Sequence, residues 1–215
     1  MEGFARLYGA ENLDDDDLIM DYATAALAAY QSTPEFAPFD SKFDRWRRGE
    51  VELTAQEEFG YTVFVTWNCR LCHQLQRQGV TDREPFTSFE YHNIGVPANP
   101  KLRELHADGD DFTDHGLAQQ ENMEASVEAG KFKVPTLRNV AVTGPYMHNG
   151  VFEDLRTAVQ FYNKYPSRRP SMHINPETGE PWGDAEVAEN LSLRELESGL
   201  EVNAERVDAL VPFLE

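Results

Sequence analysis

The sequence predicts an all-α domain with long irregular loops, and three observations carry that prediction. Several segments repeat apolar residues at helical spacing, no stretch of useful length alternates them at the two-residue period of a strand, and Pro and Gly punctuate most of the remainder. The 215 residues are 40% apolar and 11% aromatic, enough to close a core and too rich for a disordered or fibrous chain. A chain of this length buries about 70% of the surface its unfolded form exposes, in one domain or at most two.

The first helix is expected after Asp14 to Asp17, acids placed where a helix N-terminus favours negative charge. Leu18, Tyr22, Ala25, Ala26 and Ala29 then recur near helical spacing up to Ser32. Thr54-Ala55-Gln56-Glu57 reads as a capping box opening a second helix, which sets Phe59 and Val63 on one face and runs toward Trp67. From 79 to 113 the chain is broken by Gly79, Gly95 and Gly109 and by Pro85, Pro97 and Pro100, the mark of a long loop that wraps something. Leu155, Ala158, Val159 and Tyr162 fall at i, i+3, i+4 and i+7, one buried face of a third helix after the turn His148-Asn149-Gly150. A last helix follows the cap Asn203, with Val207, Leu210, Val211 and Leu214 inward. One domain over 1–215 is expected, with 1–50 an N-terminal packing helix and linker and 54–215 the ligand-binding core. So much loop in a helical domain calls for an internal ligand to complete that core.

Nineteen Lys and Arg against 38 Asp and Glu leave a net charge of −19. That field repels phosphate backbones and anionic lipid, so nucleic acid is not an expected partner. No apolar run approaches the roughly 20 residues of a membrane span, and Met1-Glu2-Gly3-Phe4 shows no basic region leading into an apolar export signal. The charge is uneven: 104–128 holds eight acids and no Lys or Arg, whereas 131–169 holds seven bases and two acids. The acidic stretches read as solvated faces or as a dock for a cationic partner, the basic island as solvated cations or as a lining for something anionic.

Both cysteines fall within Cys69-Arg70-Leu71-Cys72-His73, so they make one site and not a staple. Cys-x-x-Cys-His is the attachment signature of haem c: the thiols add to the porphyrin vinyl groups and the adjoining His ligates the iron. On a helix Cys69 and His73 share a face, while Cys72 reaches the other side of the macrocycle edge. A redox dithiol would follow a strand in a βαβ pattern, and a structural zinc would want two more Cys or His close by; the sequence offers neither. Candidates for the sixth iron position are Met123, Met147, Met172, His92, His106, His115, His148, His173 and Tyr162, and composition does not choose among them. Trp67, two residues before Cys69, reads as core packing.

Two further runs carry a family likeness: Phe86-Thr-Ser-Phe-Glu-Tyr-His-Asn-Ile-Gly-Val-Pro97, and Gly130-Lys-Phe-Lys-Val-Pro-Thr-Leu-Arg-Asn-Val-Ala-Val-Thr-Gly-Pro-Tyr-Met-His-Asn-Gly150. With Cys-x-x-Cys-His they resemble the C-terminal haem domain of the bacterial di-haem cytochrome c peroxidase/MauG family, from about Phe4 to the closing helix. The resemblance implies a cytochrome c-like haem domain in which one haem accepts and passes on electrons, while a second haem, in the other domain, meets hydrogen peroxide. In the peroxidases the C-terminal haem has His and Met ligands, and in the MauG branch Tyr replaces Met. Counting on from Pro-Tyr-x-His-x-Gly places that ligand at Tyr162, so the resemblance implies His73 and Tyr162, with Met147 the alternative. A phenolate stabilises ferric over ferrous iron and suits oxidative chemistry.

The family also carries an interdomain calcium ion, and two of its backbone ligands align with Thr143 and Pro145. Arg138, beside Lys131 and Lys133 near the Pro135-Thr136-Leu137 turn, is a candidate partner for a haem propionate, and His148 for the haem edge or a loop carbonyl. This chain has one Cys-x-x-Cys-His where family members have two, so pairing with a second haem domain or subunit is expected, through the face from Thr143 to Asn149. A small redox protein or a protein substrate would supply electrons. Haem c attachment outside the bacterial cytoplasm implies a periplasmic location. The competing expectations are a mono-haem electron-transfer protein with His/Met ligation and a weakly peroxidatic mono-haem protein.

Overall fold

Caps, more than apolar content, set where the helices begin. The computed structural model describes residues 2–12, 14–67, 69–75 and 83–215, so the expected loop punctuation at Gly79 lies outside the described residues. Helix α1 (Glu2–Tyr8) precedes α2 (Asp16–Gln31), the first helix expected from sequence. Asp15 caps α2, its side chain accepting the Leu18 N–H at 3.1 Å. The expected inward face is absent, because none of its residues is buried: Ala25, Ala26 and Ala29 offer too little apolar area to tie a helix to a core. What α2 touches is α1, where Tyr22 stacks on Tyr8 at 4.5 Å and Phe4 packs against both rings.

Helix α3 (Lys42–Arg47) is opened by a reciprocal capping box of Ser41 and Asp44, and it buries Phe43 and Asp44. Residues expected to be linker therefore join the core. Helix α4 (Ala55–Thr66) has the expected capping box of Thr54 and Glu57 and ends at Trp67. Its buried stripe is Gly60, Val63 and Phe64, while Phe59 faces outward, contrary to the expected pairing with Val63. The reason is the crossing partner: a side chain on Gly60 would collide with the Ala209 carbonyl and Phe213, so the helices meet at the glycine. One further turn, α5 (Cys69–Cys72), continues from α4.

The long loop after it contains β1 (Tyr91–His92) and α6 (Pro100–Leu105), the latter capped by Asn99. Then come α7 (Ala125–Glu128) and β2 (Phe132–Lys133). The strands pair antiparallel, Tyr91 opposite Lys133 and His92 opposite Phe132, too short to leave an alternating pattern in the sequence. Helix α8 (Leu155–Phe161), capped by Asp154, is the expected third helix, and Tyr162 begins the 3-10 turn that follows it. Helix α9 (Leu193–Glu197) leads to α10 (Ala204–Leu214), capped by Asn203 and burying Val207, Ala209 and Leu210.

The all-α expectation therefore holds, and the core is split. One apolar cluster gathers Phe43, Val63, Phe64, Phe86 and Leu210, and the other Val96, Phe152, Ala158, Phe161 and Trp182. Members of both line one cavity. Among the described residues no helix is long and apolar enough to cross a membrane.

Candidate haem-binding site

The cavity encloses about 450 Å³, inside the range of roughly 300–1,000 Å³ in which cofactors are held. Its wall brings together Cys69, Cys72, His73, Thr143, Pro145, Met147, His148 and Tyr162. Arg138, named from sequence beside them, is not in that wall.

His73 is placed by backbone bonds. Its N–H donates to the Cys69 carbonyl at 2.8 Å, and the Ser88 N–H donates to the Cys72 carbonyl at 2.8 Å. Ring Nδ1 lies 3.2 Å from the Phe86 carbonyl. A carbonyl only accepts, so Nδ1 carries the proton and Nε2 is left as the nitrogen that can bind a metal. Burial lowers the His73 pKa, opposed by the Phe86 and Pro135 carbonyls, which keeps the ring in its neutral, ligating form. Burial also pushes the Cys69 thiol up to about 12 and the Cys72 thiol up to about 11, the latter aided by Glu195 and Glu90. Thiols so far from ionising are poor disulfide-exchange groups. Among the described residues no three His, Cys, Asp or Glu converge as metal ligands, and thiols this far from ionising do not suit a redox dithiol.

The cavity shortens the list for the sixth position. Only His92, Met147, His148 and Tyr162 of the nine candidates line it. Met123 is exposed, Met172 sits 3.6 Å from the Asn163 amide, His106 stacks on Phe112, His173 meets the Ser167 carbonyl at 2.9 Å, and His115 is exposed. Of the four that remain, His92 is tied to Ser192 at 3.2 Å, with Glu90 at 3.7 Å. His148 stacks flat on Phe132, centroids 3.5 Å apart and planes 10° from parallel, and burial pushes its pKa down to about 4. Met147 holds a left-handed φ of 70°. Tyr162 is packed deep among protein atoms yet 37% exposed, because it opens onto the cavity. Burial, with the two cysteine sulfurs, raises its pKa, and among the described residues its hydroxyl makes no hydrogen bond.

Arg138 is engaged by protein groups. Its guanidinium is bidentate on Asp44, both contacts at 2.8 Å, and its Nε donates to the Glu84 carbonyl at 2.7 Å. Lys131 pairs with Glu128 at 3.1 Å, and of the three cations only Lys133, lying over the Phe89 ring, reaches the cavity wall. Trp67 packs in the first apolar cluster, with the Arg206 guanidinium 4.1 Å from its ring centre. Sequence reasoning missed Asp44, Phe86 and Phe132. The Ser41-x-x-Asp44 cap was a readable signal for the first, whereas the other two show only in three dimensions.

No family model matches the chain. It is 63% identical to the methylamine utilization protein MauG of Paracoccus denitrificans over 213 residues, 99% of this chain and 55% of that protein. It is 32% identical to the cytochrome-c peroxidase IdrP1 of Denitromonas iodatirespirans, over 67% of this chain and 41% of that one. The crystal structure of the di-haem peroxidase BthA from Burkholderia thailandensis superposes with a TM-score of 0.80 at 28% identity, over 99% of this chain and 54% of BthA. The chain spans about half the length of the relatives it matches.

Proposed function

The chain belongs to the di-haem cytochrome c peroxidase/MauG family, and from that premise and the cavity's donor set we propose that it is a haem c-binding oxidoreductase domain. In this reading Cys69 and Cys72 would anchor one covalent haem, His73 Nε2 and the Tyr162 oxygen would hold its iron, and the group would supply electron relay toward a peroxide-reducing haem in a second domain or subunit. The observation that carries the reading is one cavity that gathers both thiols, a neutral imidazole and a phenol without a hydrogen-bond partner among the described residues. Haem supplies the one-electron chemistry that none of these side chains has.

The chain's own residues orient, exclude water and hold protons. The Phe86 carbonyl fixes which nitrogen of His73 is free. Apolar walls from both clusters, Phe64 and Leu210 on one side and Val96 and Ala158 on the other, keep the interior dry. Burial raises the Tyr162 pKa, so the phenol would give up its proton only when its oxygen binds a strong Lewis acid, and as a ligand it would favour the ferric state. Thr143 and Pro145 line the cavity, and in this reading their carbonyls would contribute to a calcium ion shared with the other domain. Electron donors of this reading are a small redox protein or a protein substrate, and the location is periplasmic, where haem c is attached.

Optical and paramagnetic-resonance spectra of the ferric protein and of Tyr162→Phe test this. The expected wild type lacks the near-infrared band of methionine ligation, and the variant changes spin state. A methionine band unaffected by Tyr162→Phe would favour the second reading, a mono-haem electron carrier with His73 and Met147, which the position of Met147 in the same wall supports.

A further inference from the structure

Phe86 is buried and holds a φ of +52°, the left-handed region that bulky side chains rarely enter. Such a conformation persists only where its surroundings over-determine it, and here they do. On its N-terminal side Arg138 Nε donates to the Glu84 carbonyl at 2.7 Å and the Thr136 hydroxyl donates to the Pro85 carbonyl at 2.6 Å. On its C-terminal side the Thr87 hydroxyl donates to the Val134 carbonyl at 2.6 Å, and the Ser88 N–H to the Cys72 carbonyl at 2.8 Å. The Phe86 ring is wedged edge-on against Phe43 and Phe64, with the Arg138 guanidinium 5.7 Å from its centre. Arg138 itself is fixed by the fully buried Asp44, two bonds of 2.8 Å in a fork-on-fork arrangement that only Arg can make. The Phe86 carbonyl of this strained turn lies 3.2 Å from Nδ1 of His73, which lines the cavity.

We propose that the Asp44–Arg138 pair is a positioning device: it holds the turn from Glu84 to Thr87 so that the Phe86 carbonyl stays on His73 Nδ1, which sets the orientation and basicity of the imidazole. This rests on the reading of His73 as an iron ligand. A buried ion pair is a weak source of stability but a strong source of geometric definition. A carbonyl on Nδ1–H makes the imidazole a better electron donor, which stabilises ferric iron. Letting the turn relax takes that bond away and raises the reduction potential.

The test uses the haem-loaded protein and compares wild type with Arg138→Lys, Asp44→Asn and Thr136→Val. Arg138→Lys keeps the charge and loses the fork, and Thr136 is exposed, so its loss threatens folding least. The expected result is a higher midpoint potential in Arg138→Lys and Asp44→Asn, up to about tenfold in the ferric-over-ferrous preference, or about 59 mV for one electron. Thr136→Val moves the same way by less, and the Nδ1 proton, slow to exchange in wild type by NMR, exchanges faster in all three. Variants that lose stability while potential and exchange stay at wild-type values overturn the proposal and leave a merely structural pair. If the two ion-pair variants do not mature, fast Nδ1 exchange in wild type or an unmoved potential in Thr136→Val overturns it equally. Wild-type spectra without a histidine-ligated haem would overturn the functional reading itself, and the proposal with it.

Discussion

The two walls of the cavity are built on opposite terms. On the His73 wall the imidazole, the turn that meets it and the cation behind that turn are each held by bonds of 2.6–3.2 Å. On the Tyr162 wall the phenol makes no hydrogen bond among the described residues, Met147 sits in a left-handed turn, and His148 is held by a flat stack on Phe132. The difference teaches that His73 is preorganised by the chain while Tyr162 is left for something the cavity binds to complete. In the proposed haem reading, a fixed nitrogen and an adaptable oxygen would suit an iron that changes oxidation state without losing its anchor.

The largest break comes from removing the anchor. Cys69→Ser with Cys72→Ser leaves the His73 wall's backbone bonds intact but has nothing to add to a vinyl group. The expected outcome is complete loss of haem that survives denaturation, read by the mass of the unfolded chain. Retention of covalent haem would remove the foundation of the site.

A smaller and sharper break lies behind the His73 wall, where α4 crosses α10 at Gly60. A methyl there meets the Ala209 carbonyl, which is backbone and cannot swing aside, so Gly60→Ala should cost about 1–3 kcal/mol by denaturant titration. Tyr162→Phe removes a hydroxyl with no partner among the described residues and should stay within about 0.5 kcal/mol of wild type before haem is bound. Equal losses from the two changes would erase the distinction between a rigid and an open wall.

What could be read from the sequence follows the same division. Caps are local chemistry, so Thr54 with Glu57 and Asn203 each mark the start of their helix correctly. The haem signature is local too, and three of its neighbours in space, Met147, His148 and Tyr162, were within reach of motif counting. Burial is not local: α2 has the spacing of a core helix and buries nothing, and Phe59 lost its place to Gly60 because the contact is chosen by α10. Arg138 shows the limit most plainly. A cation beside a haem motif suggests a propionate, and nothing in the order of residues announces that Asp44, far away in the chain, takes both arms of its guanidinium.

The walls also differ in how acid attacks them, and the haem-free chain separates the two effects. His148 is exposed where it opens onto the cavity, yet partial desolvation by the surrounding protein shifts its pKa down to about 4 against an ordinary 6.5. The unfolded chain therefore takes up that proton first as pH falls, and stability drops between about pH 6.5 and 4, with no further loss from this group below that window. Asp44 is lowered instead: burial alone would raise it, and the hydrogen bonds from Arg138 and Ser41 outweigh burial. Its contribution is fully present above the unfolded value of 3.8 and vanishes only as pH falls through the lower folded value. Denaturant titrations at stepped pH should show His148→Gln flattening the upper window and Asp44→Asn the lower one. Loss of the lower window in His148→Gln, or of the upper one in Asp44→Asn, would mean that the two walls titrate as one unit and that the contrast between them is not one of independent construction.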